Sequence, residues 1–156
     1  MKLFKSKLFS VTLFITLITL LIIRVITEIP NNERTLTMYY FITIISIITM
    51  IISILIGYYV NLVSYRFIVG KSIHNKITFL NFILLQANIN ILIMTIMIII
   101  FKLNNSWISI FNPFTLILQV IFFNYLVKFE NGGKKSVFVY ILFGFLFTII
   151  FNYIKM

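Results

Sequence analysis

Five apolar runs, each close to the length of a bilayer crossing, occupy most of this chain and leave only short gaps between them. A helix needs about 20 apolar residues to cross roughly 30 Å of hydrocarbon, and the runs fall at residues 8–27, 36–60, 78–101, 107–127 and 137–154. Composition agrees: 62 % of the 156 residues are hydrophobic and 10 % are charged, whereas a water-soluble domain carries about a quarter charged residues. A soluble enzyme is excluded. The sequence predicts an all-α fold, a polytopic membrane protein that forms one transmembrane domain of five helices over residues 1–156.

Thirteen bases face three acids, a formal charge of +10. The bases fall in clusters between apolar runs rather than along one exposed face, so they predict orientation in a bilayer and not a nucleic-acid partner. With the amino terminus inside, nine lie on the inner side (Lys2, Lys5, Lys7, Arg66, Lys71, Lys76, Lys128, Lys134 and Lys135) against four outside (Arg24, Arg34, Lys102 and Lys155). The expected topology is therefore N-in and C-out. The basic start Met1 to Lys7 resembles a signal peptide, but Val25-Ile26-Thr27-Glu28-Ile29-Pro30 offers no small-x-small cleavage site, so the first helix is expected to stay uncleaved. The absence of cysteine removes disulfides, thiolate nucleophiles and thiolate metal ligands together.

Tyr39, Tyr40, Tyr58, Tyr59, Tyr125, Tyr140, Tyr153 and Trp107 lie near expected helix ends and read as an interfacial aromatic belt. Asn112-Pro113 reads as a helix cap followed by proline at the first helical position. From Pro113 to Val127 there are 15 residues, about 22 Å of helix, so the fourth span is either short, with Trp107 to Phe111 at the interface, or a longer kinked helix. The largest gap, Asn61 to Ile77, is expected to be an inner loop whose Arg66, Lys71 and Lys76 can meet anionic headgroups.

Chemistry-bearing residues are few. His74 is the one histidine, and Glu28, Glu33 and Glu130 are the acids; none lies within an expected span. No catalytic, metal or cofactor residues are expected, because acid/base and metal chemistry need several such groups converging. His74 reads as a solvated loop residue. Arg24, the one charge inside an expected span, can snorkel outward beside Glu28 or mark a buried ligand contact. The third run carries Asn81, Gln86, Asn88 and Asn90; at 100° per residue, Asn81 and Asn88 share one side and Gln86 and Asn90 the opposite one. Lipid satisfies no amide, so this helix is expected at the centre of the bundle, its amides either bonding between helices or lining a small polar cavity with Gln119. Ser46, Thr49, Ser53 and Gly57, at spacings of three and four, form a small-residue stripe suited to close packing, within the chain or against a second copy.

Three further segments resemble bacterial Yip1-domain membrane proteins. Tyr65-Arg66, Gly70 and Lys71-Ser72-Ile73 are similar to that family's aromatic-basic turn, glycine and Ser-containing loop. Ser109-Ile110-Phe111-Asn112-Pro113-Phe114 resembles the approach to its penultimate helix, and Asn131-Gly132-Gly133-Lys134-Lys135-Ser136 its basic, glycine-containing turn before the last helix. The resemblance implies a five-span integral protein of a bacterial cytoplasmic membrane with no reaction to carry over. The expected function is that of a non-enzymatic scaffold or partner subunit in membrane organisation or transport, in contact with the lipid bilayer and with a membrane protein or a second copy. The alternative is a component that transports a small molecule or lipid, or an immunity protein against a membrane-active peptide, with Asn81, Gln86, Asn88, Asn90 and Gln119 at its site.

Overall fold

The computed structural model describes residues 3–28, 36–102 and 112–154, with side chains at 28, 36, 147, 148 and 151–154 left outside the description. Among these residues the chain is helical throughout. A 3-10 turn at Leu3–Lys5 precedes α1 (Lys7–Glu28), α2 (Leu36–Val69), α3 (Lys76–Phe101), α4 (Pro113–Phe129) and α5 (Lys134–Ile154). Three helical stretches, Lys7–Thr27, Thr37–Val69 and Lys76–Phe101, are long and apolar enough to cross a bilayer, and Pro113–Phe129 is a shorter apolar helix.

The helix ends follow from local chemistry and correct one expectation. α2 does not stop at Val60 but continues to Val69, so Tyr65 and Arg66 are helical rather than part of a loop. Nothing between Asn61 and Val69 breaks a helix, and Asn61 turns its amide back onto the Gly57 carbonyl at 2.7 Å. The break comes at Gly70, whose φ of +72° suits a residue without a Cβ. The resulting 34-residue helix is about 51 Å long, well beyond the hydrocarbon thickness. Asn75 caps α3 by accepting the Thr78 amide at 3.1 Å. Asn112 caps α4 through the Thr115 amide at 2.6 Å, and Pro113 takes the first helical position, as capping preferences favour. α4 then runs 17 residues, about 26 Å. The expected interfacial piece Trp107 to Phe111 lies outside the described residues, as do Glu33, Arg34 and Lys155.

α3 is shared between neighbours. On one side it packs against α1 over the most extensive helix contact in the bundle. Leu13, Leu17, Leu21 and Val25, four apart, form the buried stripe of α1. Across this seam the Asn88 amide donates to the Leu13 carbonyl at 2.9 Å, and its oxygen accepts the Thr16 hydroxyl at 2.9 Å. One turn from the start of α3, the Asn81 amide reaches the Phe4 carbonyl at 2.8 Å, and Phe4 stacks on Phe82 at 4.8 Å. α1 and α3 therefore run parallel. On the other side α3 meets α4 in antiparallel order, Phe82 against Phe122 at 4.9 Å and Asn90 against Thr115 at 2.9 Å. α5 packs on α2, with Tyr140 edge-on to Tyr65 at 5.3 Å.

These contacts bring the start of α1, the α2–α3 loop and the α4–α5 loop to one end of the bundle, called here the proximal end. Away from the seams α2 presents Ile44, Ile48, Ile52, Leu55 and Val63, each more than half exposed. A continuous apolar wall of this length suits hydrocarbon and not water. Leu17 is fully buried in the α1–α3 seam. Leu17→Ala should cost about 2–5 kcal/mol, read by reversible unfolding in mixed micelles, whereas Ile15→Ala, on the exposed side of the same helix, should change stability by less than about 0.5 kcal/mol.

Candidate functional site

Where α2, α3, α4 and α5 diverge, they leave a cavity of about 710 Å³, within the range of ligand-binding cavities, roughly 300–1,000 Å³. Its wall is mostly apolar and, among the described residues, carries no charged side chain. Beside the hydroxyls of Ser53 and Ser64, three bonded polar pairs stand on it. Gln119 Nε2 donates to Gln86 Oε1 at 3.0 Å. The Thr115 hydroxyl donates to Asn90 Oδ1 at 2.9 Å. On the facing wall Tyr140 OH donates to Asn61 Oδ1 at 2.9 Å. Each pair is a hydrogen-bonding group that a hydrocarbon environment can tolerate because it is already partnered, and each can exchange part of that bonding with a polar ligand.

The sequence-derived residues divide accordingly. Gln86, Asn90 and Gln119 line the cavity. Asn81 and Asn88 do not: they face α1 and the segment before it, where their amides bond the Phe4 and Leu13 carbonyls. The 100° spacing that puts them opposite Gln86 and Asn90 is the reason. Of the small-residue stripe, Ser53 and Gly57 line the cavity, while Ser46 and Thr49 face a second hollow toward α1. A Cβ added at Gly57 meets nothing within 4 Å, so this stretch of the stripe bounds open space instead of a tight helix crossing. Arg66, Lys71 and Lys76 are exposed at the proximal end, and Lys71 Nζ donates to the Asn131 carbonyl at 2.7 Å.

Sequence reasoning missed the cluster beneath the cavity. Glu130, at the end of α4, is 1 % exposed. Its Oε2 accepts the His74 amide at 2.6 Å and lies 3.3 Å from His74 Nδ1. Its Oε1 accepts the Tyr125 hydroxyl at 2.6 Å and the Asn75 amide at 3.2 Å. One carboxylate thus ties the α2–α3 loop to the end of α4 and neutralises the amino-terminal end of α3. Tyr125 and Tyr140 are accordingly not belt residues: they are 2 % and 3 % exposed, and their hydroxyls have protein partners. Tyr125 lies 5.6 Å from Phe82, and Phe82, Phe79 and Phe122 form the cavity floor, so the clasp supports the floor directly. Gly132 closes the turn after it; a Cβ there would collide with Val137 Cγ2 and crowd Tyr65 OH at 3.1 Å. The one sequence signal was an acid retained at an otherwise basic end. The His74 ring is largely solvated, with 74 % of its side chain exposed, and among the described residues no three His, Cys, Asp or Glu side chains gather to hold a metal.

The architecture is that of a membrane-embedded, all-helical protein. No family model, curated protein or solved structure matches the chain. The likeness to Yip1-domain proteins gains no support from these comparisons and rests on the short segments that suggested it.

Burial opposes the charge on Glu130, but the Tyr125 hydroxyl, the two loop amides and the His74 ring outweigh it and hold the carboxyl below its ordinary value of 4.5. A carboxyl depressed in the folded state stabilises the fold above its unfolded pKa and loses that contribution as pH falls through the folded value. Stability should therefore be level near neutrality and decline as the pH drops below about 4.5. Glu130→Gln should be less stable at neutral pH, because a neutral amide replaces an acceptor of several donors, and should show a flatter acid limb. Melting curves across this pH range in micelles test both points, and an unchanged acid limb in the variant would remove Glu130 as the titrating group.

Proposed function

We propose that this is a five-span membrane protein, N-in and C-out, that binds an amphiphilic, lipid-like small molecule in the cavity among α2, α3, α4 and α5 without chemically transforming it. The single observation that carries the reading is the cavity itself, large and apolar, free of charged side chains among the described residues, with hydrogen-bonding pairs on two facing walls. Such a lining suits an apolar body bearing a few neutral polar groups. Transport of that molecule, or its sequestration, follows from the same site. The scaffold reading draws on a different feature, the exposed apolar face of α2, which can seat a partner helix or a second copy.

Support for the orientation comes from the proximal end, where Lys5, Lys7, Arg66, Lys71, Lys76, Lys128, Lys134 and Lys135 are all exposed. Because the chain has no native cysteine, single cysteines report sidedness without background. Cysteines at Lys5, Lys71 and Lys134 should be labelled by a membrane-impermeant maleimide only after vesicles are opened from the inside, and one at Glu33 from outside. Disagreement in sidedness among the three proximal positions would refute the five-span topology, and reversal of all four positions together would refute the N-in orientation.

Gly57 and Gly144 both line the cavity, and a Cβ at either meets nothing within 4 Å. Gly57→Leu and Gly144→Leu should therefore fill space without displacing backbone, keep or raise thermal stability through helix propensity, and weaken binding of a hexadecanol probe by about tenfold, ~1.4 kcal/mol. Gln86→Leu and Gln119→Leu should weaken it by a smaller factor, about fivefold for one lost hydrogen bond. Undiminished binding in both glycine variants would place the probe elsewhere.

A further inference from the structure

The polar side chains of the four-helix cavity are not spread evenly over its wall. Gln86 follows Phe82 by four residues on α3, which places it one turn, about 6 Å, above the aromatic floor. Gln119 of α4 joins it there through the 3.0 Å amide bond, and Asn90 stands one turn further along α3. On α2, Ser53 precedes Tyr58 by five residues, as Gln86 follows Phe79 by seven. The Tyr58 and Phe79 rings lie 6.1 Å apart and the two helices run antiparallel, so Ser53 and Gln86 come level to within about 3 Å. These four residues form one polar tier. The next polar pair on the wall, Asn61 with Tyr140, lies eight residues from Ser53 along α2, about 12 Å nearer the proximal end.

The tier holds hydrogen-bonding capacity that the protein does not use. A glutamine amide carries two N–H donors and two acceptor lone pairs. Gln119 and Gln86 are joined by a single bond, in which Gln119 donates and Gln86 accepts, and neither amide bonds another described residue. Gln86 Nε2 is therefore left as a donor and Gln119 Oε1 as an acceptor, on adjoining amides. Asn90 engages only its oxygen, which accepts from Thr115 and, at 3.4 Å, from Asn112, so Asn90 Nδ2 is a second donor. The Ser53 hydroxyl can act either way. Each amide is held in place by one bond and keeps a second function for a ligand.

This combination selects a head group. An ion finds no opposite charge on the wall among the described residues. An ether or ester meets the two amide donors but leaves Gln119 Oε1 unmatched, which is costly for a group out of reach of water. A hydroxyl both donates and accepts, and adjacent hydroxyls answer the tier as a set. We propose that the ligand is a lipid with a neutral polyhydroxyl head, held by Gln86, Asn90, Gln119 and Ser53, with its chain lying toward Phe82 and Phe122. This names the ligand class for the site proposed above and rests on that reading. Gln86 and Gln119 are its specificity-determining residues: one gives a hydrogen bond to the head and the other takes one from it.

The test uses the full chain in nanodiscs at about pH 8, where a carboxylic acid is ionised, with radiolabelled probes of one chain length: 1-O-hexadecylglycerol, its 2,3-dimethyl ether, hexadecyl glucoside, hexadecanol and hexadecanoate. The glycerol ether or the glucoside should bind about fivefold or more tightly than hexadecanol, the effect of one further hydrogen bond. The dimethyl ether, which accepts but cannot donate, should lose that advantage; it reads the requirement without any change to the protein. Gln86→Met combined with Gln119→Met removes both halves of the bonded pair and so leaves neither orphaned. In that variant the polyhydroxyl probes should bind no better than the alcohol, and Ser53→Ala should reduce their preference in part. Size-exclusion elution and helical circular dichroism identify variants that remain folded. A stronger glucoside assigns a sugar head, and a stronger glycerol ether a glycerol head. Equal binding of alcohol and polyhydroxyl probes, or a preference that survives the double variant, overturns the assignment, while alcohol binding weakened by Gly57→Leu leaves the cavity reading intact. Tightest binding by hexadecanoate overturns the neutral head, and a dimethyl ether that binds as well as the diol overturns the role of Gln119 Oε1. Absence of binding by every probe defeats the cavity reading itself, and this inference with it.

Discussion

Hydrocarbon offers an amide no partner, so the side-chain amides of α3 reach for neighbouring segments, and that requirement organises the bundle. Asn81 and Asn88 bond toward α1 and the turn before it. Gln86 and Asn90, on the opposite side, bond toward α4. A helix with obligations on two faces has to be sandwiched. Each bond contributes little, about 0.6 kcal/mol on average in membrane helices. Its effect is on register: a slide or rotation of α1 or α4 past α3 leaves several amides facing lipid at once, a cost far larger than any single bond.

The same requirement explains the proximal end. Lys and Arg side chains reach water there, but Glu130 is taken inside and satisfied by two loop amides, a phenol and the His74 ring. A buried carboxylate without partners would be strongly unfavourable. With four contacts it becomes the joint where two loops meet, and the aromatic layer of Phe79, Phe82 and Phe122 rests on it through Tyr125. The fold is thus fastened at two levels, by amides along α3 and by one acid at its foot. The cavity lies above the second of these, where α2 and α5 diverge from α3 and α4.

How much of this was legible in the sequence depended on periodicity. The all-helical fold and the division of the α3 amides into two sides follow from apolar run length and from 100° per residue, which are local properties. A bilayer-length rule ends α2 too early, because the helix continues past the hydrocarbon; the better signal is Gly70, the first residue there suited to a positive φ. Tyrosines near helix ends are commonly interfacial, and only the three-dimensional approach of Glu130 and Asn61 makes Tyr125 and Tyr140 internal. Glu130 itself was illegible, since its partners His74 and Asn75 are more than 50 residues away in sequence and no local pattern encodes that contact. Nor did the small-residue stripe declare that it borders open space: spacing specifies a face, not what stands opposite it.

Glycine in a membrane helix ordinarily lets two backbones approach closely, and by that rule Gly57 and Gly144 should each face a near neighbour. They do not; a methyl group added at either touches nothing within 4 Å, and both line the same cavity. A helical glycine costs about 0.5–1 kcal/mol relative to alanine, and no neighbouring group fills the space beside either residue where a Cβ would stand. What the two residues share is the volume they leave free. On the proposed reading that volume belongs to the ligand, and the helices give up stability to keep it. The same logic fits the hydrogen-bonded pairs on its walls, which keep a bond to one another when the site is empty. A cavity kept open by missing side chains, with the amides of Gln86, Asn90 and Gln119 and the Tyr140 hydroxyl already bonded on its walls, can bind and release an amphiphile without stranding those groups in hydrocarbon.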